Sequence, residues 1–144
     1  MPVTRSRLDR GSVLMLMPAA VLVVLLLGSI AFDQSLVFLR QRQASSLAVD
    51  VANDLATAAL DEEGFRADGE FTLDPTRAEQ LGVDLVLASD LGDLVEDVEV
   101  RVVGADEVSV RVVVRVDYVF AQAIPGAAEG TTVTATATAV AAPG

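Results

Sequence analysis

The sequence predicts an α+β protein with a long N-terminal transmembrane helix. Residues 12–32 form a run of 21 residues without a charge, followed at once by Asp33. Small apolar residues then recur at three- and four-residue spacing over residues 44–60, as in an amphipathic helix. From residue 96 the period changes to two, which is typical of half-buried strands. We therefore expect the long helix, with a second short helix, to pack on a three-stranded antiparallel meander.

The apolar run is long enough to cross a lipid bilayer. At ~1.5 Å per residue it makes a helix of roughly 31 Å, against a hydrocarbon core of ~30 Å. Pro18 is compatible with this, because membrane helices tolerate a proline kink. We predict a cytoplasmic basic leader at 1–11, the transmembrane helix at 12–32 and an amphipathic extension of the same helix at 33–63. An extracytoplasmic acidic α+β domain follows at 64–144.

Charge favours a single-pass protein of the cytoplasmic membrane with its N-terminus inside. Three arginines precede the run and two follow it, a small positive-inside bias. Residues 1–44 carry five arginines against two acids, and residues 45–144 carry five against nineteen, so the net charges are +3 and −14. We expect no nucleic-acid partner, because so acidic a domain would be repelled by phosphates.

A cleaved signal peptide is the alternative interpretation. Residues 29–31, Ser-Ile-Ala, have the small residues at the spacing that signal peptidase requires, although the apolar run exceeds the 7–15 residues usual for such a peptide. The alternative product is an exported soluble acidic binding domain, released after Ala31.

The long helix is predicted to continue to about Leu60, because residues 33–60 contain no glycine or proline. Gly64 is its expected cap. Asp74-Pro75 starts a second helix, with an acid at the N-cap and a proline at the first position. That helix reaches at least Leu81. It either ends at Gly82 or includes this glycine and continues towards residue 91, with Leu85, Val86 and Ala88 facing inward. The inward residues predicted for the first helix are Ala44, Leu47, Ala48, Val51, Leu55, Ala58 and Ala59.

Two valine-rich strands follow, with a turn at residues 104–106, and the second is predicted to run over 107–120. A loop with an odd number of residues keeps every valine on one face, because side chains alternate along a strand. We therefore predict a three-residue loop, Val102 opposite Val108, Val100 opposite Val110, and Glu99 opposite Arg111 on the solvent face. A third strand, 131–140, alternates Thr with Ala.

Catalysis is not expected, because the chain contains no His, Cys or Lys. We predict no cofactor, no metal site and no small-molecule substrate. Carboxylates do cluster at residues 61–63 and at Asp90, Asp93, Glu96 and Asp97. Either cluster could bind Ca²⁺ through oxygen, but neither has the EF-hand spacing, and solvated charge at the ends of elements accounts for both.

Gly11-Ser12 is a candidate processing site. A short basic leader that ends in glycine before a long apolar helix is what a prepilin peptidase cleaves. An uncleaved membrane anchor has the same appearance.

The order of these features resembles TadE/TadG-like proteins of the tight-adherence (Flp, type IV-related) pilus system. The similar parts of residues 9–60 are Arg10-Gly11, Pro18, Asp33, Arg40 and Arg42 with their glutamines, Asp50 and Ala58-Ala59. The VSVRVVVRVDYVF strand, the Pro-Gly turn and TVTATATAVA are also similar to the end of such proteins.

This resemblance implies a non-enzymatic role in pilus assembly, as a minor pilin-like or membrane-anchored component. Its partners would be other pilus membrane or pilin-like proteins, contacted through the helix. Pilin-like members usually carry a Glu five residues into the mature chain, and that position here is Leu16. The difference favours the membrane-retained variety or a minor component.

Overall fold

The computed structural model describes residues 9–60 and 72–141, with side chains from Leu16 onward in the first range. Its elements in chain order are helix α1 (Asp9–Ala58), helix α2 (Pro75–Leu87), and strands β1 (Val95–Val103), β2 (Glu107–Asp117) and β3 (Gly130–Val140). Short 3₁₀ turns lie at Gly92–Leu94 and Ala121–Ala123. The predicted α+β class, with one long and one short helix on an antiparallel sheet, is confirmed.

Helix α1 is one uninterrupted helix of 50 residues with Pro18 inside it. It begins three residues before the predicted start and ends two before the predicted end. The predicted cap Gly64, the acids at 61–63 and most of the 65–73 loop lie outside the described residues. One residue of the predicted inward face, Ala58, is exposed, whereas Ala52 and Ala56 are buried. The buried stripe is therefore centred slightly differently on the helix than the spacing suggested.

Helix α2 begins as predicted. Asp74 caps it, because its Oδ1 accepts hydrogen bonds from the amides of Thr76 at 2.9 Å and Arg77 at 3.2 Å. The helix passes through Gly82, which is buried, and ends at Leu87 rather than near residue 91. Gly82 is required by packing, since a Cβ there would lie 2.7 Å from Cγ2 of Val100. Val86 is buried as expected, but Ala88 is exposed.

The sheet is an antiparallel meander in the order β1-β2-β3. The predicted register is confirmed, with Val100 opposite Val110, Val102 opposite Val108 and Glu99 opposite Arg111. On the solvent face Glu99 pairs with Arg111 at 3.7 Å. The turn has three residues, and Gly104 adopts a φ of +84°, which other residues rarely adopt.

The valine face of the sheet forms the core with both helices. Its fully buried members alternate along the central strand, and α1 contributes alanines with Leu55 in their midst. Small side chains on α1 let its backbone approach the sheet closely, and dense packing of this kind supplies most of the stability of a chain without disulfides. The buried residues of β2 are Val108, Val110, Val112, Val114 and Val116.

The predicted 107–120 strand is too long by three residues. β2 ends at Asp117, and the amide of Tyr118 still donates to the carbonyl of Glu129 at 2.9 Å. The chain then turns away from the ladder, because the next three amides donate to a side chain of α1.

Candidate functional site

The candidate site is the place where the apolar part of α1 enters the sheet domain. Side chains from Leu16 to Phe32 lie almost entirely on the surface, whereas from Ala44 onward one stripe of the same helix is fully buried. Asp33 lies at the boundary and is only 5% exposed. One helix therefore belongs to two environments, and Asp33 marks the change.

The Asp33 carboxylate is held by three consecutive backbone amides. Oδ1 accepts from Val119 at 2.9 Å and from Phe120 at 3.2 Å, and Oδ2 accepts from Ala121 at 3.0 Å. These amides come after β2, at the start of the 3₁₀ turn, where they have no partner in the sheet. Three donors of this kind offset the desolvation of a buried carboxylate.

The pKa of Asp33 reflects this environment. Asp33 directly follows the apolar segment 12–32. Burial raises the pKa of Asp33. The hydrogen bonds from the amides of Val119, Phe120 and Ala121 together lower it by more than burial raises it, so the pKa lies below the usual value for an aspartate. The charged form is therefore the one that holds the β2–β3 connection to α1.

Two aromatic rings complete the junction. Phe32 and Phe120 meet edge to face, with ring centroids 5.3 Å apart and an angle of 90° between their planes. Further along α1, the side-chain amide of Gln41 donates to the carbonyl of Thr134 in β3 at 2.9 Å. The helix is thus tied to the sheet by polar contacts on the side nearer its apolar half.

The opposite end of the domain is held by backbone contacts. The amide of Asp74 donates to the carbonyl of Ala59 at 2.9 Å, and the amide of Leu73 donates to the carbonyl of Ala105 at 2.8 Å. The end of α1 is therefore adjacent to the β1–β2 turn, while Asp33 is adjacent to the other end of β2. Helix α1 runs along the whole length of the central strand.

The candidate processing site and the acidic cluster that begins at Asp90 do not contribute to this junction. Gly11 and Ser12 are in the first turn of α1. Asp90 lines an open groove with Arg42 and Asp50, between α1 and the turn after α2. Within residues 9–60 and 72–141, no three acidic side chains come together as a metal site would require.

The sequence marked Asp33 as the end of the apolar run but did not indicate its partners. Those partners lie 86–88 residues away in the sequence, and they are backbone amides that carry no side-chain signature. The one available signal was an isolated acid directly after a long charge-free helix, where an unpaired carboxylate would be costly.

By length and composition α1 could cross a membrane, and a signal sequence near an N-terminus would pass the same test. Comparisons with protein-family models, with curated proteins and with solved structures give no match.

Proposed function

We propose that this protein is a single-pass membrane protein that acts without catalysis, as a minor pilin-like or assembly component of a tight-adherence pilus. In this proposal its N-terminus is cytoplasmic and its acidic domain lies outside the membrane. The observation that carries the proposal is the continuity of α1, whose first half is apolar and exposed and whose second half is built into the domain core.

This continuity has a mechanical consequence. Because no flexible linker separates the apolar half from the domain, a force or a displacement applied to the helix is passed directly to the sheet. Asp33 and Gln41 reinforce that connection with hydrogen bonds to the β2–β3 connection and to β3. A component that must present a domain at a set position on a membrane or filament requires such a rigid connection.

The pilus assignment depends on the sequence resemblance, with Gly11-Ser12 as the point where the chain would be processed. The exposed apolar side chains from Leu16 to Phe32 support contacts with lipid or with helices of partner proteins. Helices in lipid associate mainly through close packing, so the same surface serves both roles.

The mature N-terminus tests the proposal. We would purify the protein from native membranes and determine its first residue by mass spectrometry. A start at Ser12 supports a processed pilin-like component, and a start at Met1 or Pro2 supports a permanently anchored assembly component. A start near Phe32 overturns the proposal and supports the soluble binding domain released by signal peptidase.

A further inference from the structure

We propose that residues 118–128, which form the connection between β2 and β3 up to Glu129, insert their apolar side chains into the headgroup region of the bilayer beside α1. This 118–128 loop would give the domain a second membrane contact. The inference rests on the proposed function in one respect only, namely that residues 12–32 cross a membrane.

The position of the loop follows from its hydrogen bonds to Asp33. The apolar run of roughly 31 Å matches the hydrocarbon thickness, so Asp33 lies where hydrocarbon gives way to headgroups. The amides of Val119, Phe120 and Ala121 lie within 3.3 Å of its carboxylate oxygens. A membrane that surrounds residues 12–32 therefore reaches the loop as well.

The composition of the loop suits that depth. Its eleven residues, YVFAQAIPGAA, carry no charge in a domain that is otherwise strongly acidic. Three large apolar side chains are turned outward, with Val119 54%, Phe120 45% and Ile124 47% exposed, and Phe32 beside them is 49% exposed. Exposed aromatic and aliphatic side chains at a helix exit are typical of the membrane interface.

The backbone of the loop is also prepared for an apolar environment. The amides of residues 119–121 donate to Asp33, and those of Ala123, Ile124 and Ala127 donate to carbonyls within the loop at 3.0–3.1 Å. Pro125 has no amide hydrogen, and the Gln122 side chain donates to the carbonyl of Tyr118. Turns in water make the same hydrogen bonds, but this pairing also lowers the cost of placing the loop against lipid.

A phospholipid surface is the occupant that these observations favour, because the patch is continuous with the apolar half of α1. Electrostatic attraction cannot drive the contact, since residues 45–144 carry a net charge of −14. Insertion should therefore depend on the apolar side chains and occur on zwitterionic lipid.

Tryptophan fluorescence tests this directly, because the chain contains no Trp. We would place a single Trp in the full chain by Phe120→Trp or, separately, Ile124→Trp, and reconstitute each variant into phosphatidylcholine vesicles. The acyl chains would be brominated either near the headgroup or near the terminal methyl. We expect both variants to be quenched, and more strongly by the shallow label.

Two control variants separate the possible results. Leu22→Trp lies at the middle of the apolar run and should be quenched most by the deep label. Val103 lies at the far end of β1, and its side chain is 49% exposed. A Trp introduced there by Val103→Trp should be quenched by neither the shallow nor the deep label.

Quenching of Leu22→Trp without quenching of either loop variant would overturn the further inference and leave the membrane anchor standing. It would also indicate that the patch is available to a protein partner instead. Absence of quenching at Leu22→Trp as well would overturn the membrane anchor itself. Quenching of the loop variants equal to that of Val103→Trp would also contradict the inference.

Discussion

At the scale of the residue, Asp33 has the most consequential environment in the described chain. It is an acid at the end of an apolar helix, and it is buried. Three amides that the sheet leaves unpaired converge on it. Removing its charge leaves those donors with a weaker acceptor in a site from which water is largely excluded.

We expect Asp33→Asn to lower the melting temperature of the full chain in detergent micelles, because a neutral amide oxygen accepts these hydrogen bonds less strongly and its NH₂ group faces donors. Asp50→Asn is the matched control, since Asp50 is an exposed acid on the same helix. The measurement is thermal unfolding followed by the fluorescence of Tyr118, the one tyrosine in the chain. Equal melting temperatures for the two variants would contradict the assigned role.

The pH dependence should carry the same signature. Because the folded-state pKa of Asp33 is lowered, its contribution to stability is complete above the ordinary aspartate pKa and is lost as the pH falls through the folded value. The wild-type protein should therefore lose more stability on acidification than Asp33→Asn does. If the melting temperatures of the two proteins fall by the same amount as the pH is lowered, this prediction is wrong.

At the scale of the element, the β1–β2 hairpin shows a register determined by a short turn. Three residues connect the strands, and one of them, Gly104, has a φ of +84°. With a loop of this length all inward valines share one face, and the core depends on that parity. The carbonyl of Ala105 in this turn also accepts a hydrogen bond from the amide of Leu73, which holds the connection before α2 in place.

We expect Gly104→Ala to destabilise the protein by about 1–2 kcal/mol, because a Cβ is strained at positive φ. Gly28→Ala is the control, since a Cβ there meets no atom within 4 Å beyond its own stretch of helix and its φ is negative. Chemical denaturation of both variants in the same detergent would measure the difference. A cost at Gly28 as large as that at Gly104 would show that the turn geometry is not the cause.

At the scale of the whole molecule, α1 unites a lipid-compatible surface with a protein core. Its apolar half is exposed along almost its whole length and meets the domain at Phe32, which packs on Phe120, whereas its second half is buried against β2 and β3. A helix with that many exposed large apolar side chains would associate or aggregate in water, which supports the proposal that a bilayer or a bundle of helices covers it.

Charged substitutions in the apolar half should test this division. We expect the double variant Leu22→Arg with Leu25→Arg to leave the membrane fraction after alkaline extraction, because each arginine costs about 2.5–3.5 kcal/mol at the middle of a membrane helix. Val103→Arg, at the far end of the sheet, should remain in the membrane fraction. Retention of the double variant would contradict a single spanning segment at 12–32.

The amino-acid sequence by itself determined the periodic features of this protein. The charge-free run, the Asp-Pro start of α2, the strand alternation and the three-residue hairpin depend on neighbouring residues, and local physics suffices to predict them. Whether α2 continues through Gly82 was not decided by neighbouring residues. It depended on the tertiary contact in which Gly82 closely approaches Val100. In the same way, Ala52 and Ala56 are buried because of how α1 lies on the sheet.

Only the tertiary structure decided how the two halves of α1 are joined to the domain. Alternation predicted a strand as far as Phe120, but the amides of Val119 and Phe120, with that of Ala121 just beyond, are directed at Asp33 instead of at a strand. The contact joins residues about 87 apart through main-chain donors, which every non-proline residue possesses and no sequence pattern distinguishes. Its strength comes from burial of a charge that must be satisfied, and burial is a property of the folded molecule alone.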